Sequence, residues 1–243
     1  MATSERSFPE RLQKARLLSA ATAIMSPAFQ PADVTLGVIP FGIYLESVSV
    51  SIDDVATTVT TFSSAIQLRI SDTDEAQLIC TQIVSYVKSN AAWKLQFPRI
   101  KQLADKVRLI KPPRKTLSPP APEPGQSTPP LVKLRDRGDG SYAEIEANFR
   151  AFVAAAAGLV GYAPPDVAIQ SVTLASMVLS LSENNVSIAA SDQALDDAQR
   201  TRYALFYEPE SGLASKFKAI KDSVKGQYGQ TSTEWASVKG MRW

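Results

Sequence analysis

LESVSVSIDDVATTVTTFSSAIQLRI, residues Leu45–Ile70, has the composition of a β-strand and the spacing of a helix. It is rich in Val, Ile and Thr, and VSVSI (Val48–Ile52) alternates as a half-buried strand does. Yet Leu45, Val48, Ile52, Val55, Val59, Phe62 and Ile66 recur in steps of 3, 4, 3, 4, 3 and 4. That is an a/d helical seam over three heptads. No Gly or Pro interrupts the run, and a strand of that length would be unusual. A second stretch decides between the two. LSENNVSIAASDQALDDAQRTRYALF (Leu181–Phe206) favours helix by composition. Aligning its VSI at Val186 with that at Val50 sets Leu181, Ile188 and Leu195 on Leu45, Ile52 and Val59. Both stretches are read as helices.

The likeness extends outward from this pair. SFPERL at Ser7 and SYAEIE at Ser141 are each Ser-aromatic-x-Glu, the pattern of a capping box. An apolar stretch follows each, then FQPADV at Phe29 and YAPPDV at Tyr162, matched in aromatic, Pro, Asp and Val. Further amphipathic segments follow: EAQLICTQIVSYVKSNAAW and a helix bearing Ile100, Leu103, Val107 and Ile110 on one side, and Leu213, Phe217, Ile220 and Val224 on the other. Thr231 and Glu234 offer a last capping box. Between the copies, eight of the sixteen prolines fall from Pro112 to Pro130, a density that excludes helix and central strand. The expectation is an all-α chain of two tandem, internally duplicated up-and-down helical bundle units, residues 1–111 and 141–243, joined by a Pro-rich linker, 112–140. The units are either separate or fused into one elongated bundle.

Composition narrows the chemistry. The chain has no histidine, which removes Ser-His and Cys-His nucleophile pairs, imidazole acid–base catalysis and nearly all zinc or di-iron patterns. Its one cysteine, Cys80, cannot form an internal disulfide and lies in the apolar stretch LICTQIV, where a thiol is ordinarily core. A net charge of +2 argues against a wholesale polyanion binder. MATSERSFPERLQKARLL carries charges where a secretion signal needs an apolar core. The most apolar run, Ala151–Ala163, is about a dozen residues against the roughly 20 needed to span a bilayer. A cytoplasmic protein with no cofactor, no metal and no small-molecule substrate is expected.

The second half resembles an uncharacterised group of duplicated helical proteins found in bacteria, especially Bacteroidetes. The likeness is carried by YAPPDV, by the Tyr-x-Pro-x-x-Gly-Leu of RTRYALFYEPESGL, and by VKGQYGQTSTEWASVKGMRW. In that tail Val224, Lys225, Tyr228, Gly229, Trp235, Val238, Gly240 and Arg242 fit the group's pattern. The resemblance covers about the last 85 residues well and implies the helical fold without an activity.

Several stretches are candidate sites. Trp93–Lys115 holds Lys94, Arg99, Lys101, Lys106, Arg108, Lys111, Arg114 and Lys115 against the single acid Asp105, with Trp93 and Phe97 interleaved. Such a surface tracks phosphates, or else is a solvated face that complements Glu46, Asp53 and Asp54 or a neighbouring subunit. Tyr228, Trp235 and Trp243 are interface candidates near the C-terminus, and Trp243 either docks on its own bundle or anchors a neighbour. Asp192, Asp196 and Asp197 with Arg200 and Arg202 read as helix salt pairs rather than a cation site. Arg137-Gly138-Asp139 reads as a turn, and PPAP at Pro119, with Ser118 and Thr128 beside prolines, as a semi-rigid spacer. The function expected is that of a non-catalytic structural or interaction protein acting through helical contacts, self-assembling into rings or filaments. The alternatives are an acidic partner or nucleic acid bound through residues 94–115 and, more weakly, a membrane-active helix at Ala151–Val160.

Overall fold

The computed structural model describes residues 7–110 and 141–243, so the proline-rich linker, the Arg-Gly-Asp tripeptide and the PPAP element lie outside the described residues. The rest is helical: α1 (Ser7–Ala23), α2 (Val38–Ser89), α3 (Phe97–Val107), α4 (Tyr142–Ala157), α5 (Ser171–Tyr207), α6 (Leu213–Tyr228) and α7 (Thr233–Lys239). Short 3₁₀ turns precede α2 (Val34–Leu36), α3 (Ala91–Trp93) and α5 (Val167–Ile169). No strand occurs among the described residues.

The stretch that could have been a strand lies within α2, which is longer than its seam suggested. Its 52 residues absorb the next amphipathic segment as well, because no Gly or Pro occurs between Ile43 and Phe97. At 1.5 Å per residue it runs about 78 Å. Its threonines bond inward to their own helix: the hydroxyls of Thr57, Thr60 and Thr61 donate to the carbonyls of Asp53, Ala56 and Thr57 at 2.9–3.1 Å. That local satisfaction lets β-branched residues sit in a helix without orphaned hydroxyls.

Two compact units form, one comprising Met1–Ser63 with Ala190–Trp243 and the other Ser64–Ala189. This differs from the expected units at 1–111 and 141–243. Neither α2 at Ser63 nor α5 at Ala189 has a break, so each helix leaves one core and enters the other. Each unit thus draws on both sides of the 112–140 segment.

In the first unit, Phe8, Leu12, Ala15 and Leu18 of α1 meet Phe41, Leu45 and Val48 of α2, Phe206 of α5, and Leu213, Phe217, Ile220 and Val224 of α6. Phe8 and Phe206 meet edge to face at 4.8 Å, and the Arg202 guanidinium lies 4.1 Å from the centroid of the Phe8 ring. The Tyr207–Leu213 turn explains the Tyr-x-Pro-x-x-Gly-Leu sequence. A Cβ on Gly212 would sit 2.6 Å from both the amide nitrogen and the carbonyl oxygen of Glu208, so only glycine fits, and Leu213 beside it is fully buried. In the second unit, Ala76, Ile79, Ile83 and Val87 of α2 pack with Ile100, Ala104 and Val107 of α3, Phe149, Phe152 and Ala156 of α4, and Leu174 and Leu181 of α5.

Helix ends follow local chemistry, with three departures from expectation. Ser141 and Glu144 form the expected reciprocal capping box. Ser7 lies inside α1 rather than at its cap, and its buried hydroxyl has no hydrogen-bond partner among the described residues. Ser232, not Thr231, caps α7, accepting from the Trp235 amide at 3.0 Å. Ile110 falls beyond α3: its amide reaches back to Asp105 O and that of Leu109 to Lys106 O, with Leu109 at φ +57°. That is a Schellman closure with leucine where glycine is usual.

Candidate interaction surfaces

The basic segment is divided by a single acid. On α3, Ile100, Ala104 and Val107 are buried, and Asp105 on one flank takes Lys101 Nζ at 2.9 Å and Arg108 Nη2 at 2.6 Å. Burial would raise the Asp105 carboxyl, but hydrogen bonds from Lys101 and Arg108 outweigh it and hold the group below its ordinary 3.8. Arg108 Nη1 also donates to Thr81 Oγ of α2 at 3.2 Å, so this cation braces the unit. Arg99 and Lys106 lie on the other flank; with Lys94 they are exposed and ion-pair with none of the described residues. Lys111, Arg114 and Lys115 lie outside the described residues.

The aromatic candidates turn inward. Trp93 is only 4% exposed, and its indole N–H donates to Val160 O at 3.0 Å amid the rings of Tyr86 and Tyr162. It is core, which corrects its place among the interface residues. Phe97 packs half-buried on the same core. Tyr228 donates its hydroxyl to Pro27 O. Trp235 is half-buried, with the ammoniums of Lys221 and Lys225 each 6.0 Å from its ring centroid. Lys221 also donates to Lys239 O and Met241 O, holding the tail down. Trp243 then lies 5.4 Å from Phe217 and 6.4 Å from Phe206, with the Arg11 guanidinium over its ring. Of its two expected roles, docking within its own unit is the one formed. Phe217, Lys221, Trp235 and Trp243 also line an open groove of about 420 Å³.

The remaining candidates are structural. Arg200 sits 3.4 Å from Asp197 and 4.0 Å from Asp196, exposed pairs that contribute little. No group of His, Cys, Asp or Glu that could hold a metal ion occurs among the described residues. Cys80 is fully buried, and burial pushes its thiol up to about 12, against a weaker opposite pull from Arg108. Within Ala151–Val160, Phe152, Val153, Ala156 and Leu159 belong to the core. No helix among the described residues is long and apolar enough to cross a membrane.

Sequence reasoning missed the outward faces of the long helices. On α2, Ile39, Ile43 and Val50 are 76%, 69% and 55% exposed, on the side opposite Phe41, Leu45 and Val48. On α5, Val172, Leu179 and Val186 are 83%, 61% and 68% exposed at heptad spacing, each followed three residues later by a small residue, Ala175, Ser182 and Ala189. A second 3/4 periodicity, offset from the core seam, is the signal that marks them. Compared with known proteins, the chain matches no family model, no curated protein and no solved structure.

Proposed function

We propose that this chain is a non-catalytic interaction protein that self-associates through the outward faces of its long helices. The observation that carries the reading is the outward stripes themselves. Large aliphatic side chains recur along one face of each long helix, at steps of 4 and 7 on α2 (Ile39, Ile43, Val50) and of 7 on α5 (Val172, Leu179, Val186), and nothing among the described residues of their own unit covers them. Scattered exposed aliphatics are ordinary, but alignment along one helix face marks a helix–helix contact. The absence of histidine and the deep burial of the one thiol support a non-catalytic role. Binding of a nucleic acid through residues 94–115 has less support, since Asp105 engages two of those cations and one aromatic is core.

The test is solution mass by light scattering across a range of concentrations, for the wild type and for Ile43→Asp and Leu179→Asp. Growth of mass with concentration, reduced by either substitution, is expected. A single-chain mass throughout removes self-association. An oligomer indifferent to both substitutions removes the stripes as its cause.

A further inference from the structure

We propose that the outward face of the first part of α2 docks on the outward face of α3 from a second copy of this chain, a contact set by matched charge. It rests on the self-association reading above and names what covers one of the stripes.

The α2 face is apolar and acidic together. Ile39, Ile43, Glu46, Val50 and Asp53 advance in steps of 4, 3, 4 and 3. At 100° per residue they fall within an arc of about 80°. Asp53 is exposed and ion-paired with none of the described residues. Among the described residues Glu46, with a side chain 75% exposed, has only Arg16 at 4.0 Å as an ion-pair partner, and that guanidinium donates to Ser49 at 3.1 Å. A long, exposed pair of this kind leaves the carboxylate available.

The α3 face carries the complement. Arg99 and Lys106 are exposed on the flank away from Asp105, and Leu95, 91% exposed, precedes them. Arg99 and Lys106 are seven residues apart, as are Glu46 and Asp53. Seven residues advance about 10.5 Å in any α-helix and return to within about 20° of the same face. Two helices laid parallel therefore set Arg99 against Glu46 and Lys106 against Asp53 at once. In the same direction, exposed Leu95 precedes Arg99 in the turn before α3, as exposed Ile43 precedes Glu46 on α2. A polyanion would match the α3 face alone, whereas a second copy offers each face its opposite. The two faces differ, so the contact either closes a two-fold dimer when made reciprocally or, repeated from copy to copy, yields a ring or a running filament.

Charge reversal tests this. Glu46→Lys/Asp53→Lys and Arg99→Glu/Lys106→Glu are made as separate full-length chains, with helix content checked by circular dichroism. Each alone is expected to lose at least half of the wild-type assembly mass at equal concentration. Mixing the two is expected to restore it, since each reversed face then finds its opposite and a misfolded chain cannot be rescued this way. The wild-type assembly is also expected to shrink toward 1 M salt, where the screening length is about 3 Å. If the wild type assembles but neither variant changes its mass, or if mixing restores nothing, the α2–α3 contact is overturned while self-association stands. A wild type that stays at single-chain mass overturns both, and salt-sensitive retention of that monomer on immobilised DNA, lost in Arg99→Glu/Lys106→Glu, would reassign the α3 face to nucleic acid.

Discussion

Asp33 and Asp166 make the same hydrogen bond at corresponding points of the chain: Asp33 accepts from the Thr35 amide at 2.9 Å, and Asp166 from the Ala168 amide at 3.0 Å. Each caps a 3₁₀ turn that leads directly into a long helix, α2 or α5, and in each turn the last apolar residue, Leu36 or Ile169, is buried. The matched Pro-x-Asp-Val sequences are therefore helix-entry devices. Removing the cap leaves an orphaned amide at the turn, so Asp166→Ala is expected to cost about 1 kcal/mol. For a chain of this size that is a fall of about 2–4 °C in Tm. A Tm unchanged within error would refute the capping role.

Asp33 adds a pH dependence. Its carboxyl is held below the ordinary 3.8 chiefly by the hydrogen bond from the Thr35 hydroxyl, then by the Thr35 amide. A folded pKa below the unfolded one means the contribution is complete above about pH 4 and is lost as pH falls through the folded value. Asp33→Asn keeps an acceptor but cannot titrate. Its stability should therefore lie below wild type at pH 7, with the gap closing under pH 3.8. Denaturant melts at both pH values measure this, and a gap that widens on acidification would contradict it.

Two positions near helix ends should respond oppositely to glycine chemistry. Leu109 holds φ +57°, a conformation that costs an L-residue about 1–2 kcal/mol and glycine almost nothing. Allowing for the greater unfolded-state entropy of glycine, Leu109→Gly should stabilise by about 0.5–1 kcal/mol. At Gly212 the neighbours are backbone atoms at 2.6 Å that cannot rotate away. Gly212→Ala should therefore destabilise by about 1–3 kcal/mol. Thermal unfolding of the two variants side by side reads both signs; a stable Gly212→Ala would mean the Glu208 turn relaxes freely.

The helical class was legible at Leu45–Ile70 because the 3/4 seam outvotes β-branched composition, and Leu45, Val48 and Val55 are indeed buried. The same seam fades by Val59, which is 43% exposed, just before the first unit's share of α2 ends at Ser63. Periodicity shows which face a residue occupies but not how far along a helix its partners extend. That is why the two units, built across the chain, could not be read as such. Trp243 was ambiguous for a related reason. A terminal aromatic carries no local pattern, and its place depends on Phe206, Phe217 and Arg11 from three different helices. The outward α5 stripe was legible in principle at Val172, Leu179 and Val186, and was masked by the stronger core seam of the same helix.

Cys80 is predicted to be chemically silent in the folded chain. With its thiol pushed up to about 12, only about one molecule in ten thousand carries a thiolate at pH 8. The side chain is also fully buried between α2 and its neighbours in the second unit. Labelling by a thiol-reactive disulfide reagent should be negligible in buffer and complete in denaturant. Its rate at intermediate denaturant should follow the opening of that unit. Fast labelling of the native chain would show that the α2–α3 packing is looser than described.

Trp243 separates a role in folding from a role in assembly. Its ring packs on Phe217 and Phe206, beneath Arg11, and Lys221 fixes the chain that leads to it. Trp243→Ala removes the aromatic contacts and the cation–π partner together. For a half-buried ring this should cost about 1–2 kcal/mol, below the 3–5 kcal/mol typical of a fully buried one. The loss should appear as a lower denaturation midpoint. Assembly mass under conditions where the variant is folded should equal that of the wild type, because the side chain faces its own unit. A variant that keeps full stability but dissociates would place Trp243 on a neighbouring copy instead, and would exclude the intramolecular docking as its main role in solution.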